Sequence, residues 1–107
     1  MIAIIDFGLG NLRSVEKAFE FLGISATIID SPKQADKATH LVLPGDAAFG
    51  DAINKLNSGG WVKCIEKSIV AGKPFLGICV GLQLMFSESL ELGRHKGMGI
   101  FSGVCER

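Results

Sequence analysis

At 107 residues the chain has room for one domain with a modest core, and with 48% apolar residues it collapses rather than staying disordered. Eleven basic residues offset eleven acidic ones, so charge makes no case for a nucleic acid or an anionic membrane surface as partner. The three cysteines, Cys64, Cys79 and Cys105, are widely spaced, with no Cys-x-x-Cys pair or histidine cluster, which argues against a disulfide framework or a metal site and for a reducing, cytoplasmic compartment.

Ile2 to Ile5 is a continuous apolar run that ends in Asp6 and a glycine turn, as expected of a central parallel strand buried on both faces. It is too short for a secretion signal, and no apolar run in the chain reaches membrane-spanning length. Leu12, Val15, Phe19 and Leu22 recur at helical spacing and Gly23 closes that helix. Ser25 to Ile29 reads as a second strand, closed by Asp30-Ser31-Pro32, and Gln34 to Lys37 as one polar turn. A third strand, His40 to Leu43, is expected to stop at Pro44-Gly45. Phe49, Ala52, Ile53 and Leu56 predict a second helix, broken at Asn57-Ser58-Gly59-Gly60, and Trp61, Ile65 and Ile69 a third, running to Gly72. A fourth strand, Phe75 to Ile78, leads through Cys79 into an apolar segment of helical length that lasts to about Leu92-Gly93. Arg94 to Gly99 is a polar, glycine-rich loop, and Ile100 to Cys105 reads as a strand.

Strands alternating with helices predict an open parallel sheet of flavodoxin-like type with helices on both faces. Sites in such sheets lie beyond the C-terminal strand ends. The stretches Asp6–Asn11, Pro44–Ala48 and Cys79–Gln83 each follow a strand directly, so all are expected to converge there.

The chemistry centres on Gly77-Ile78-Cys79-Val80-Gly81, a strand-to-helix corner with the Gly-x-Cys-x-Gly pattern of a nucleophile elbow. Glycines on either side remove side chains that would collide at the corner, the helix beyond favours negative charge at its N-terminus, and the Val80 N–H is available to an oxyanion. A cysteine in an apolar run is ordinarily an inert buried residue, and the paired glycines overturn that reading. Gly8-Leu9-Gly10-Asn11-Leu12-Arg13 superficially matches a dinucleotide fingerprint, but Arg13 stands where the third glycine belongs, and a tight strand–helix turn is the better reading.

The segment Gly77-Ile78-Cys79-Val80-Gly81-Leu82-Gln83 resembles the nucleophile segment of the class I (triad) glutamine amidotransferases. The opening Ile5–Val15 and the stretch Leu43–Ala52 are similar to the glutaminase subunits of imidazole glycerol phosphate synthases within that family. The resemblance implies a cytoplasmic glutaminase of histidine biosynthesis that uses no cofactor or metal and takes glutamine as substrate. Its implied partner is a synthase (cyclase) subunit, bound as a heterodimer.

Residue by residue, the resemblance makes Cys79 the nucleophile and Gln83 a contact to bound glutamine, and it places Asn11 on the partner-docking face. Pro44-Gly45-Asp46-Ala47 takes the place of the family's Pro-Gly-Val-Gly, with Gly45 and Asp46 completing the oxyanion hole opened by Val80. Asp46 and Ala47 depart from that pattern: one adds a carboxylate near a developing anion, the other removes glycine's freedom. His40 begins a strand at the far edge and His95 follows the last helix, so neither is expected to serve as base. The family's His-x-Glu pair has no counterpart, and residues 1–107 therefore read as the N-terminal half of one amidotransferase domain, inactive alone. Two alternatives stay open: an amidotransferase subunit of another ammonia-using pathway, or a non-catalytic flavodoxin-like binding module.

Overall fold

The computed structural model describes residues 1–90 and 95–105. Four parallel strands form the main sheet: β1 (Ile2–Ile5), β2 (Ala26–Ile29), β3 (His40–Gly45) and β4 (Phe75–Cys79), in the order β2-β1-β3-β4. This is the expected flavodoxin-like arrangement. The apolar run of β1 occupies an interior position, with Ala3, Ile4 and Ile5 wholly buried.

The two directions of crossover from β1 place helices on opposite faces. On one face α2 (Phe49–Ser58) and α3 (Trp61–Val70) set Phe49, Ala52, Leu56, Trp61 and Ile65 against Ala3, Ile5, Ile29, Leu41 and Leu43. On the other, α1 (Leu12–Phe21) brings Phe19 near Ile2 and Val42 but buries no residue fully. The core is therefore lopsided, concentrated between the sheet and the α2–α3 pair.

Local chemistry fixes the element ends. Asn11 caps α1, its Oδ1 accepting from the Ser14 N–H at 3.3 Å. Gly23, at φ 74°, ends the helix in a Schellman turn, in which the Gly23 and Ile24 N–H groups donate to the Glu20 and Phe19 carbonyls at 2.9 Å. The expected polar turn is a 3-10 helix, Pro32–Lys37, entered through Gln34, whose Oε1 accepts from the Asp30 and Ser31 N–H groups.

Two expectations are corrected. β3 does not stop at Pro44-Gly45 but runs through both, pairing Pro44 with Ile78 and Gly45 with Cys79. Leu41 N–H donates to the Pro74 carbonyl at 3.0 Å, so by alternation Leu41, Leu43 and Gly45 point their backbone groups at β4 and Pro44 points the other way. Pro44 therefore faces β1, where it has no N–H to donate, and the β1–β3 pairing ends at Val42.

The second correction concerns the segment after Cys79. Its helix, α4, spans only Val80–Gln83. The chain then forms β5 (Phe86–Ser89), flanked by β6 (His95–Lys96) antiparallel and β7 (Phe101–Cys105) parallel. The carbonyls that would have continued the helix are taken from outside: Leu84, Met85 and Phe86 accept from the N–H groups of Met98, Phe101 and Gly99 at 2.8–3.1 Å. The expected helix end at Leu92-Gly93 and the start of the loop at Arg94 lie outside the described residues. Among the described residues, no helix is long and apolar enough to cross a membrane.

Because the core lies on the α2–α3 side, Leu43→Ala is expected to cost about 3 kcal/mol of unfolding free energy, a large part of what a domain of this size holds. Phe21→Ala, at a side chain 91% exposed, is expected to cost under about 0.5 kcal/mol. Urea denaturation followed by Trp61 fluorescence checks both, and equal costs would contradict the lopsided core.

Candidate active site

The strand β4 ends at Cys79 and α4 begins at Val80, so the sulfur stands at a corner open to solvent. Cys79 has φ 56° and ψ −122°, the one positive φ at a non-glycine position among the described residues. Such a conformation costs on the order of 1–3 kcal/mol and persists only where the surroundings enforce it. The two glycines show how it is enforced. A Cβ on Gly81 would lie 1.8 Å from the Leu43 carbonyl oxygen, and one on Gly77 would lie 2.8 Å from the Gly81 oxygen and the Leu82 backbone. The first turn of α4 is thus pressed onto both β3 and its own strand, with no space for a side chain at either glycine.

The extended β3 matters here. Its register sets Gly45 beside Cys79, so the Gly45-Asp46-Ala47 loop leaves the sheet next to the elbow. Val80, 4% exposed, fills the space a Gly45 side chain would take: a Cβ there would meet its Cγ1 at 2.2 Å. Sequence reasoning assigned Gly45 only to the oxyanion loop and missed this packing role. A glycine between a strand and a loop reads equally well as a turn, and no neighbouring residue signals the contact.

The remaining residues fall as follows. Gln83 is half-buried at the end of α4, one turn beyond Cys79, and Asp46 is exposed just past β3. The loop before α1 joins the same end of the sheet: Gly8 and Gly10 have φ of 96° and 120°, the Asp6 carboxylate accepts from the Gly8 N–H at 3.0 Å, and Gly10 lies against the Pro44 carbonyl. This is the tight turn expected there. Asn11 is exposed in that loop, with its side chain engaged as the α1 cap.

His40 stands at the start of β3, paired in register with Ile2, at the far edge as expected. His95 is displaced from its expected position. The single turn of α4 does not carry the chain away, and β6 returns it so that the imidazole lies over Gly50, where a Cβ would meet ring atoms at 2.7–3.0 Å, with Phe49 at a centroid distance of 6.5 Å. His95 is therefore packed on the first turn of α2, a few residues past Gly45. His40 Nδ1 lies 2.9 Å from the Thr39 hydroxyl oxygen. The other described thiol, Cys64, is half-buried, its Sγ 3.7 Å from the Pro32 carbonyl, and burial pushes its pKa up.

Residues 3–96 match the family described as Glutamine amidotransferase class-I. Among curated relatives, the imidazole glycerol phosphate synthase subunit HisH of Syntrophotalea carbinolica is 52% identical over 107 residues, covering 100% of this chain and 52% of that protein. The protein of the same description from Aquifex aeolicus is 50% identical over 101 residues, covering 94% of this chain and 49% of its own length. The chain thus spans about half the length of the curated relatives it matches. A crystal structure described as a glutamine amidotransferase superposes with a TM-score of 0.80 over 99% of this chain and 56% of its own, at 18% identity, which shows a shared fold.

Two measurements test this geometry. Gly45→Ala is expected to destabilise the chain by about 1–3 kcal/mol through overpacking against Val80, and Val80→Ala in the same chain to recover part of that loss. Strict additivity in the double-mutant cycle would mean that the two residues are not in contact. At neutral pH, iodoacetamide is expected to modify exposed Cys79 at least about tenfold faster than Cys64, whose raised pKa keeps it as the thiol until the medium becomes more alkaline. Peptide mapping by mass spectrometry gives both rates, and faster loss of Cys64 would contradict the placement.

Proposed function

Because the chain belongs to the class I glutamine amidotransferases, we propose that it carries the nucleophile half of a glutaminase site feeding ammonia to a synthase partner. The observation that carries this reading is the Cys79 corner itself: a strained, solvent-facing cysteine held by two glycines whose hydrogens are the only substituents that fit. An inert cysteine has no use for that strain.

The reaction assigned to it is amide hydrolysis in two steps. The Cys79 sulfur attacks the side-chain carbonyl carbon of glutamine, giving a tetrahedral intermediate whose oxygen bears the negative charge. The C–N bond then breaks, the nitrogen leaves with an added proton as ammonia, and a thioester remains. Water adds to the thioester carbonyl, the C–S bond breaks, and glutamate departs. The Val80 N–H and a backbone N–H of the Gly45-Asp46 segment are assigned to the oxyanion, a class of contact each worth several kcal/mol in the transition state. Gln83, on the same side of α4 as Cys79, is assigned to the bound substrate. The exposure of Asp46 supports its carboxylate pointing to solvent, away from the developing charge.

Proton transfer is assigned to the His-x-Glu pair that the family resemblance implies. The printed name of the relatives supports an imidazole glycerol phosphate synthase as the destination of the ammonia, with a cyclase subunit as heterodimer partner and Asn11 near its docking face.

The test is ammonia release from glutamine. The chain by itself is expected to give none above background. Mixed with the C-terminal segment of the Syntrophotalea carbinolica relative and with a cyclase subunit, it is expected to turn over glutamine, and Cys79→Ala is expected to lower that rate by about 10³-fold or more. Steady turnover by the chain alone would move the base into these residues, with His95 the first to test. Folded, associated halves that never release ammonia would favour a non-catalytic binding module instead.

A further inference from the structure

We propose that the cleft between the 3-10 helix and α3 is a binding site for a small multivalent phosphate anion. The cleft has a volume of about 350 Å³ and lies outside the elbow and its loops. Lys33 enters it from the 3-10 helix, Lys63 and Lys67 from α3, and Lys73 from the turn before β4, against one carboxylate, Asp36. The chain as a whole is neutral, with eleven basic and eleven acidic residues, so this grouping is local and not a share of a general excess.

Folding does not account for the grouping. No carboxylate of a described residue forms an ion pair with any of the four lysines. Lys63 and Lys67 are one helical turn apart, a spacing at which like charges repel and lower helix stability. Lys73 alone is tied down: half-buried, it donates to the Ala35 carbonyl at 3.0 Å, which pins its ammonium across the cleft and leaves two of its protons for a ligand. Several ammonium groups converging on a concavity lower the energy of an anion, and more so the higher its charge.

The shape selects among anions. Phosphate oxygens accept from several ammonium groups at once. No aromatic side chain lines the cleft, so it offers no stacking surface for a nucleobase, and its lysines come from three separate segments, the 3-10 helix, α3 and the turn before β4. The lining includes Cys64, which gives the site a built-in reporter.

The experiment titrates the full chain with inorganic pyrophosphate by calorimetry at low ionic strength, where screening is weakest. Saturable binding at one site per chain is expected, with the dissociation constant raised at least about tenfold in Lys63→Gln/Lys67→Gln, nearly unchanged in Lys63→Arg/Lys67→Arg, and unchanged in Lys17→Gln on α1. Bound pyrophosphate is also expected to slow alkylation of Cys64 and leave Cys79 unaffected. Absence of saturable heat overturns the proposal. So does an equal loss in Lys17→Gln, which would mark diffuse charge attraction, or unchanged Cys64 alkylation at saturation. Neither readout depends on glutamine turnover, so failure here and failure of the glutaminase reading remain distinct.

Discussion

The approach of Gly81 to the Leu43 carbonyl is the constraint from which the rest of the site follows. A Cβ at that position would sit 1.8 Å from the oxygen, so the backbone of α4 lies as close to β3 as a polypeptide allows. With α4 clamped there, β4 cannot simply run on: its last residue has to turn through positive φ to enter the helix, and Cys79 takes up that turn. The same clamp drives Val80 into the space over Gly45, which ties the Gly45-Asp46-Ala47 loop to the elbow through packing. Interiors are too densely packed for such contacts to adjust independently, so the relative position of Cys79 and that loop is set by glycine placement more than by any polar bond.

Much of this was legible in the sequence because each signal was a steric one. Glycines at 77 and 81 around Cys79 mark a corner too crowded for side chains, and the apolar run of β1 could only be an interior strand. The helix of Leu12, Val15 and Phe19 was equally plain from its period, and Gly23 marked its end. What the sequence hid depended on partners distant along the chain. The extension of β3 through Pro44 was obscure because proline ordinarily ends a strand. It is accommodated because Pro44 turns its missing N–H away from β4, at the point where the β1 pairing ends, a fact of register with no local trace. The packing of Val80 on Gly45 joins residues that no periodicity relates.

The misjudged helix after Cys79 has the same origin. Val80 to Phe86 contains good helix formers, and local propensity alone favours continuation. The N–H groups of Met98, Gly99 and Phe101 compete for the same carbonyls, and tertiary pairing prevails over propensity at Leu84 to Phe86. Gly97 makes this possible, since a side chain there would strike the Phe86 carbonyl at 2.2 Å and the Leu84 carbonyl at 2.9 Å. The return of the chain is also what sets His95 on Gly50, at the first turn of α2.

A one-turn α4 changes which part of the helix can act on an anion at the elbow. A long helix adds the aligned dipoles of its whole length, yet the favourable charge is concentrated on the first-turn N–H groups and fades beyond them. Here the Leu84 N–H closes the turn on the Val80 carbonyl at 2.8 Å, and even a four-residue helix keeps its first-turn N–H groups beside the sulfur. Shortening therefore removes little of the local field while freeing the chain to fold back across α2. Electrostatic help at the corner then rests on the direction of individual N–H groups, the Val80 N–H first among them. That direction is held by the contacts of Gly45, Gly77 and Gly81, which makes the steric and electrostatic requirements of the site one and the same.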